Sequence, residues 1–375
     1  MQRLNRTVLY GWGQTQALPL LKGSMDRVLN KPQLLKQLDD YALPKDETVT
    51  HLAAGWGHSL LGTDVNSVYS FGLNKSGQLG NGNISNQGGS KIYSDKENKI
   101  KFLACGREHS HIVTEKDKKT QLYSFGNNMY GQLGIGKNKN TVPGELAAES
   151  TLQKVELDGV IEHIACGLDN TVLATDHHVY AMGWGADGQL GQGCDDKDIP
   201  SQVSIDCSIK KLSSSTDFTL LLTNKHTLWT WGNSEYGQGM QGKKIDRILE
   251  PLKVNMDRVM DVAAGGPFSI VLTEDGHVHS CGYGALGLGP EMIESLELKE
   301  IKGLEKVVKV YASTDYAAAL TDDGQLYIWG LNGPSGRLGL GHHEHAFVPS
   351  RVNVDRKVLD VSLGVNHAMI LCEDV

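Results

Sequence analysis

Glycines at a nucleotide-binding spacing occur in the middle of the chain. The stretch GWGADG carries Gly183, Gly185 and Gly188 in the order G-x-G-x-x-G, directly after the apolar run HVYAM. In dinucleotide-binding proteins this turn opens a helix whose N-terminus holds a pyrophosphate. Here it continues as QLGQGCDDKDIP, which is too rich in glycine and aspartate for a helix. The same spacing recurs from Gly237 and Gly282, so we interpret these glycines as backbone turns and predict no cofactor.

Histidines and serines offer two other kinds of chemistry. The loop GHHEHAF places His342, His343 and His345 beside Glu344, and imidazoles so close together can bind a transition metal. However, no second ligand cluster at a suitable spacing completes such a site, and the six cysteines include no C-x-x-C pair. We therefore predict no metal site and interpret the cysteines as free thiols. A G-x-S-x-G nucleophile motif is also missing from the sequence, so hydrolase chemistry has no support.

Two short elements recur along the chain and must position whatever site exists. The first, exemplified by AAGWGHSLLGT and ACGREHSHIVT, occurs seven times. Its copies align on one position, which we call the slot: His58, His109, Asn170, Phe218, Phe268, Tyr316 and His367. The second element, exemplified by SFGLNKSGQLG, joins a short strand to a glycine-rich turn. Six copies each follow a copy of the first element. A seventh copy, LYGWGQ at Gly11, stands at the N-terminus ahead of all copies of the first element.

These repeats predict an all-β, seven-bladed β-propeller that forms one domain over residues 1–375. A period near 50 residues with several short strands is typical of propeller blades, and Asp-Gly pairs in EDGHV and DDGQL supply tight hairpin turns. One short helix is predicted over residues 32–43. Because the chain starts with the second half of a repeat and ends with the first half of another, the N-terminal strand around Val8–Gly11 is expected to pair with the segment His367–Cys372 and close the ring.

Composition limits the classes of partner. The net charge is −8 over 375 residues, which argues against electrostatic binding to DNA or to an anionic membrane. No apolar run approaches the roughly 20 residues that span a bilayer. The first residues, MQRLNRT, carry two arginines and no acid, like the end of a mitochondrial presequence, although a full presequence is not expected within this chain.

The two repeated elements resemble those of the regulator of chromosome condensation repeat family, whose members are seven-bladed propellers. The G-x-x-H-(S/T) and (W/F)-G-x-N-x-x-G-Q-L-G patterns extend over essentially the whole chain. Segments such as GYGALGLGPEMIES are similar to the mitochondrial branch of this family in particular. This resemblance implies a protein of the mitochondrial matrix or one peripherally associated with the inner membrane. It further implies guanine-nucleotide exchange on a large fusion-type GTPase and support of ribosomal RNA maturation.

The resemblance also directs attention to particular residues. The nuclear exchange factor of the family uses an Asp before the slot of the third element and a His at the slot of the fifth. Asp169 matches the first of these, whereas Phe268 replaces the second, which argues against the small nuclear-transport GTPase as the partner. Because the blades distribute His58, His109 and His367 around the ring, we interpret these histidines as buried structural groups that bond backbone atoms between strands.

Loops provide the remaining candidates for partner binding, because binding residues usually lie on loops of a rigid scaffold. The long segments Gln14–Thr50 and Lys137–Asp158 are two candidates. The tips of the glycine-rich turns are others, although Asn and Asp also stabilise turns by bonding their own backbone. The tip residues are Asn74, Lys75, Asn127, Asn128, Asp187, Asn233, Ser234, Glu235 and Tyr236.

Three functions are consistent with these observations. The first is a protein-binding propeller that promotes nucleotide release from a mitochondrial, dynamin-like GTPase without covalent chemistry. The second is a scaffold that binds proteins of mitochondrial ribosomal RNA processing without exchange activity. The third, a substrate adaptor of the ubiquitin-ligase type, is weaker because no catalytic domain is fused to the repeats.

Overall fold

The chain forms a ring of four-stranded antiparallel sheets. In the computed structural model, which describes residues 6–136, 147–205 and 207–374, the helical elements are two 3₁₀ turns at Thr15–Ala17 and Leu35–Gln37. Seven sheets lie within these residues, and the predicted all-β seven-bladed propeller is confirmed. No helix in the described ranges is long and apolar enough to cross a membrane.

Each sheet is one blade, and its four strands run from the centre of the ring to its rim. The first strands, which contact one another from blade to blade, are β3 (Val49–Ala54), β7 (Lys99–Cys105), β11 (Ile161–Cys166), β15 (Ile209–Ser214), β19 (Val259–Ala264), β23 (Val307–Ala312) and β27 (Val358–Leu363). The second strands are β4 (His58–Thr63), β8 (His109–Lys116), β12 (Asn170–Thr175), β16 (Phe218–Thr223), β20 (Phe268–Thr273), β24 (Tyr316–Thr321) and β28 (His367–Glu373).

The outer half of each blade contains the third and fourth strands. The third strands are β1 (Thr7–Gln14), β5 (Ser67–Asn74), β9 (Lys119–Asn127), β13 (Val179–Gly183), β17 (Leu228–Ser234), β21 (Val278–Tyr283) and β25 (Leu326–Gly330). The fourth strands are β2 (Val28–Leu34), β6 (Ser85–Ser94), β10 (Ala148–Val155), β14 (Lys197–Gln202), β18 (Ile245–Lys253), β22 (Glu294–Glu300) and β26 (Ala346–Arg351). Blades 1 to 6 begin at β3, β7, β11, β15, β19 and β23, and blade 7 consists of β27, β28, β1 and β2.

Blade 7 joins the two ends of the chain. β1 pairs antiparallel with β28, with Val8 opposite Cys372 and Gly13 opposite His367, and β2 adds to the outer side of β1. The closure predicted from the offset of the repeats is therefore confirmed. The repeat glycine of this blade is Gly13, not Gly11, because Gly13 faces the slot histidine as the repeat glycine does in blade 1.

Large aromatic side chains fill the joints between neighbouring blades. Three tryptophans on third strands are fully buried, and each indole N–H donates to a carbonyl in the glycine-rich loop of the preceding blade. The donors and acceptors are Trp12 and Arg337 at 2.8 Å, Trp231 and Gln189 at 2.9 Å, and Trp329 and Ala285 at 3.2 Å. Each joint thus combines apolar burial with a satisfied polar group.

The segment Gln14–Thr50 is built into the joint between blades 7 and 1. Its leucines pack in one buried cluster with residues of β1, β4 and β28. They are Leu18, Leu20, Leu35 and Leu43. The helix predicted over residues 32–43 was wrong: the first residues continue β2, and a single 3₁₀ turn follows at Leu35–Gln37. The buried leucines make much of this segment part of the core, whereas Leu21 and Met25 are 77% and 53% exposed; it is a weaker candidate for partner binding than its length suggested.

One side of the ring carries the loops of interest. In each blade the turn after the first strand and the loop after the third strand emerge on the same side, because successive strands are antiparallel. We call this side the front face. It contains the G-x-x-H turns and all of the predicted loop tips.

Candidate partner-binding face

The slot residues fasten one blade to the next. All seven start a second strand and are buried. Where the slot is histidine, its Nε2 approaches a hydroxyl group of the following blade; the pairs are His58 and Ser110 at 2.8 Å, His109 and Thr171 at 3.1 Å, and His367 and Ser59 at 2.6 Å. The sequence predicted backbone partners; hydroxyl side chains are partners of all three histidines, and backbone groups of His109 and Asn170 also bond His58 and His109.

Two of the slots without histidine face an alanine. Phe268 packs in one cluster with Ala317 of the next blade, and Tyr316 packs in another with Ala368. Phe218 does not follow this pattern, because Ser269 occupies the equivalent position of the next blade and donates to Gln238 O at 2.6 Å. At the fifth and sixth slots, aromatic packing thus takes the place of the hydrogen bond made by a slot histidine.

The fully buried Phe268 also changes how the fifth slot is understood. Its ring lies against Gly265, behind the turn that reaches the front face. A residue at this position has no exposed atoms with which to touch a partner in the described structure. The residue at the fifth slot therefore affects the packing between blades 5 and 6. The absence of a histidine there is consequently weak evidence against the small nuclear-transport GTPase as the partner.

A continuous chain of hydrogen bonds encircles the mouth of the central channel on the front face. Every joint between neighbouring blades has at least one such bond. Donors and acceptors are Trp56 N to Gly106 O, Arg107 N to Leu168 O, Leu168 N to Thr216 O, Thr216 Oγ1 to Gly266 O, Gly266 N to Thr314 O, Ser313 Oγ to Gly364 O, and Val365 N to Gly55 O, at 3.0–3.3 Å. The front turns therefore form a rigid platform.

The glycine pattern at residues 183–188 serves this packing. Gly183 has a φ of 107°, and a Cβ atom there would lie 2.3 Å from the carbonyl oxygen of Asp169. Only glycine tolerates this close approach between the third strand and the front turn. The spacing that resembles a nucleotide fingerprint thus follows from the geometry of the blade.

Three of the predicted loop-tip residues are not available to a partner. Asn74, Asn127 and Asn128 are at most 5% exposed. Their side-chain oxygens accept backbone N–H groups of their own loops, from Leu79, Met129 and Leu133 respectively. These asparagines hold the glycine-rich loops in shape, and we remove them from the candidate binding residues.

Apart from Ser234, the other loop tips lie on the surface to different degrees. Lys75, Glu235 and Tyr236 are exposed, and Asp187 is half-buried. Asn233 is also half-buried, and its Oδ1 accepts the backbone N–H of Glu235 at 3.0 Å. Ser234 is buried and caps its own loop through Gly239 N. The candidates that can touch a partner directly are therefore the exposed residues together with the half-buried Asp187 and Asn233.

Aromatic side chains form an arc over four consecutive blades of the front face. Tyr130 stacks on Trp184 with ring centroids 5.5 Å apart, and Tyr236 lies 5.3 Å from Tyr283. Met129 extends the arc with 56% of its surface exposed, while Tyr236 and Tyr283 are each 40% exposed. We call these five residues the aromatic arc. Aromatic residues and methionine are enriched at the centres of protein–protein interfaces, so the arc is the strongest candidate contact surface.

Sequence reasoning found only Tyr236 among the residues of the arc. The signal was nevertheless present, because each ring stands one or four positions after a repeat glycine. Trp184 and Tyr283 follow directly, whereas Tyr130 and Tyr236 stand four positions later. In each pair, the ring four positions after the glycine of one blade meets the ring one position after the glycine of the next blade.

Acidic groups adjoin the arc on blades 3 and 4. Asp169 is buried and forms an ion pair with Arg107 of blade 2, whose guanidinium group lies 6.0 Å from the ring of Trp56. The second carboxylate oxygen of Asp169, Oδ1, has no hydrogen-bond partner among the described residues. Burial raises the pKa of Asp169, although Arg107 opposes the effect.

Asp217 and Asp187 extend this acidic group. Burial, together with the negative charges of Asp187 and Asp169, raises the pKa of Asp217 to about 6. Burial is also the main cause of the raised pKa of Asp187; Arg247 opposes this effect and Glu235 adds to it. Carboxylates held this close without enough cations favour a positively charged ligand group. The surface beside the arc is therefore suited to lysine or arginine side chains of a partner.

The remaining predicted features lie elsewhere. In the loop GHHEHAF, the three imidazoles each interact with backbone atoms. His345 Nδ1 accepts the N–H of Asn332, His342 Nδ1 accepts the N–H of Glu344, and His343 Nδ1 lies 2.9 Å from Gly333 O.

Of the predicted loop Lys137–Asp158, residues 137–146 lie outside the described residues, and the following part forms β10.

The buried slot histidines predict a loss of stability in acid. Burial lowers the pKa of His367 to about 3, whereas an unfolded histidine titrates near 6.5. Below about pH 6.5 the unfolded chain therefore binds a proton at His367 that the folded chain does not bind. At pH 5 this difference alone is expected to lower the free energy of unfolding by about 2 kcal/mol. In His367→Asn, which copies the slot residue Asn170 of blade 3, this contribution disappears. Urea unfolding of the wild type and of His367→Asn at pH 7.5 and 5 measures this contribution. An equal change in the free energy of unfolding between the two pH values in both proteins would show that His367 does not cause the loss of stability in acid.

These features define a closed propeller of seven repeats with one aromatic and acidic face. The chain belongs to the regulator of chromosome condensation (RCC1) repeat family, as the motifs had indicated. The family models match residues 66–113, 120–174, 176–222 and 323–371, with a second model over residues 209–238 and 307–336.

Individual relatives resemble the chain over nearly its whole length. The human protein called RCC1-like G exchanging factor-like protein is 30% identical, over 99% of this chain and 87% of the relative. The crystal structure of human WBSCR16 superposes with a TM-score of 0.85 at 29% identity, over 99% of this chain and 100% of that one. Prp20p from Saccharomyces cerevisiae shares the fold, with a TM-score of 0.82 at 20% identity over 99% and 92% of the two chains.

Proposed function

We propose that the protein is a guanine-nucleotide exchange factor that binds a GTPase through the aromatic arc and the adjoining acidic group. The observation that carries this proposal is the position of the arc beside Asp169, on the rigid mouth of the propeller. The human relative's name, with its reference to G exchange, supports the same activity at 30% identity. No covalent step is required of the propeller.

Exchange follows from a difference in affinity. A protein that binds the nucleotide-free GTPase more tightly than the loaded GTPase must, by linkage, weaken the binding of nucleotide by the same factor. The arc supplies apolar contact area, and the half-buried Asp187 and Asp217 supply negative charge that competes for cationic groups around the nucleotide phosphates, whereas Asp169 is buried and pairs with Arg107. GTP then refills the empty site because it is present in solution.

We further propose that the partner is a large, fusion-type GTPase of mitochondria and that the protein works in the matrix or at the inner membrane. The support is the resemblance of the repeat segments to the mitochondrial branch of the family. Binding assays with immobilised GTPases test this choice, using the fusion GTPase and the small nuclear-transport GTPase in nucleotide-free and GTP-loaded forms. We expect preference for the nucleotide-free fusion GTPase, and equal binding to all four preparations would exclude the proposal.

A further inference from the structure

The joint between blades 2 and 3 contains imidazole and thiol groups that the front face does not use. Ligand atoms of His109, His111 and Cys166 all lie within 4.8 Å of one another. Both imidazoles direct Nε2 at the hydroxyl of Thr171, at 3.1 and 2.8 Å, and the thiol sulfur lies 4.0 Å from the same oxygen. The three groups therefore converge on the Thr171 hydroxyl, which itself donates to Gln132 O at 3.0 Å.

His111 is an exception within the repeats. The equivalent residue is apolar in each of the other six copies, namely Leu60, Val172, Leu220, Ile270, Ala318 and Met369. His111 is nevertheless fully buried, and burial lowers its pKa to about 3. Both of its ring nitrogens are hydrogen-bonded, Nδ1 to Ser124 Oγ and Nε2 to Thr171 Oγ1, each at 2.8 Å. A neutral imidazole is, however, the form that coordinates metal ions.

The cluster is close to an entry route from solvent. Cys166 and Cys105, at the ends of their first strands, line the central cavity of about 260 Å³ together with the front turns at Gly55 and Gly106. A small cation and its water ligands can thus reach the thiol from the mouth of the channel. The slot histidine, His109, faces the same joint from the second strand.

We propose that His109, His111 and Cys166 form a zinc-binding site that ties blade 2 to blade 3. Two imidazole nitrogens and one thiolate are a ligand set that Zn²⁺ favours, and a water molecule from the cavity completes four-coordination. Ligands of a tetrahedral zinc ion lie about 3.5 Å apart, so the side chains move inward by about 1 Å on binding. Cys166 loses its thiol proton to solvent as the Zn–S bond forms.

Metal titration of the full chain tests this site. The protein is stripped with a chelator, kept reduced, and titrated with Zn²⁺ against a chromophoric competitor. We expect one equivalent to bind with a rise in melting temperature, because a ligand specific for the folded state stabilises it. Co²⁺ in place of Zn²⁺ is expected to give a thiolate charge-transfer band.

Variants taken from other blades serve as matched tests. His111→Leu copies Leu60 of blade 1, and Cys166→Ala copies Ala54. Each is expected to weaken Zn²⁺ binding at least about 100-fold. This is more than the loss expected when a residue that only hydrogen-bonds a zinc ligand is removed. Cys166→Ala must also abolish the Co²⁺ charge-transfer band. Circular dichroism establishes that each variant is folded, and either variant alone suffices if the other misfolds.

The histidine-rich loop at residues 341–347 is the competing site. His343→Ala in that loop is expected to leave the stoichiometry and the Co²⁺ band unchanged. The proposal is overturned if the wild-type chain binds no stoichiometric Zn²⁺, or if its Co²⁺ adduct lacks the thiolate band. Loss of binding in His343→Ala with retention in His111→Leu would overturn it as well, by assigning the metal to the loop.

Discussion

Replacing Trp184 and Tyr236 together with alanine is expected to eliminate detectable binding to the nucleotide-free GTPase. The two residues belong to different ring pairs of the aromatic arc. Buried tryptophan and tyrosine at interface centres each contribute about 2 kcal/mol or more when truncated. Together they are expected to raise the Kd about 1000-fold, measured by biolayer interferometry on the immobilised GTPase.

The control for this variant removes exposed apolar surface elsewhere. Ile199 on β14 and Val348 on β26 are 56% and 52% exposed and lie on fourth strands at the rim. Their alanine variants are expected to bind the GTPase like the wild type. If the rim variants lose affinity and the arc variant retains it, the front face is not the GTPase contact. The melting temperature of each variant separates lost contact from lost folding.

Of the substitutions proposed, Trp12→Ala is expected to lower the free energy of unfolding the most. The side chain is fully buried in the joint between blades 6 and 7, and its indole N–H donates to Arg337 O at 2.8 Å. Removing a buried tryptophan costs roughly 3–5 kcal/mol. The site also lies on β1, whose pairing with β28 closes the ring, so the chain ends are expected to separate first.

Urea unfolding with a suitable control measures this effect. Trp56→Ala removes an indole that is 39% exposed on the front face, and its effect on the free energy of unfolding is expected to stay below about 1 kcal/mol. Hydrogen exchange is expected to show faster exchange in β1 and β28 of Trp12→Ala than in the control. A Trp12→Ala protein as stable as Trp56→Ala would show that β1 contributes little to closure.

The fold was predictable because each blade repeats the same physical solution. Seven copies of a slot residue that begins an apolar strand, and of a glycine that permits close approach, predict seven repeated blades from the residues alone. The offset of the first and last half-repeats predicted the pairing of β1 with β28. The error at residues 32–43 has a local cause: its spaced leucines fit a helix, but they are distributed between β2, a 3₁₀ turn and the joint with blade 1.

The candidate site was less predictable because it depends on contacts between distant residues. Asn128 and Tyr236 look alike as loop tips in the sequence, yet the first bonds its own loop and the second is exposed. The pairing of Tyr130 with Trp184 joins different blades. His111 and Cys166 likewise meet only because neighbouring blades pack together, so their spacing along the chain matches no metal-binding motif.

Release of fluorescent GDP from the mitochondrial fusion GTPase is the most direct test of the proposed exchange through the aromatic arc. Wild-type propeller at saturating concentration is expected to accelerate release in the presence of excess GTP. The Trp184→Ala, Tyr236→Ala protein, with an unchanged melting temperature, is expected to leave the intrinsic rate unaltered. Release at the intrinsic rate with the wild-type propeller, or equal acceleration by both proteins, would contradict the account.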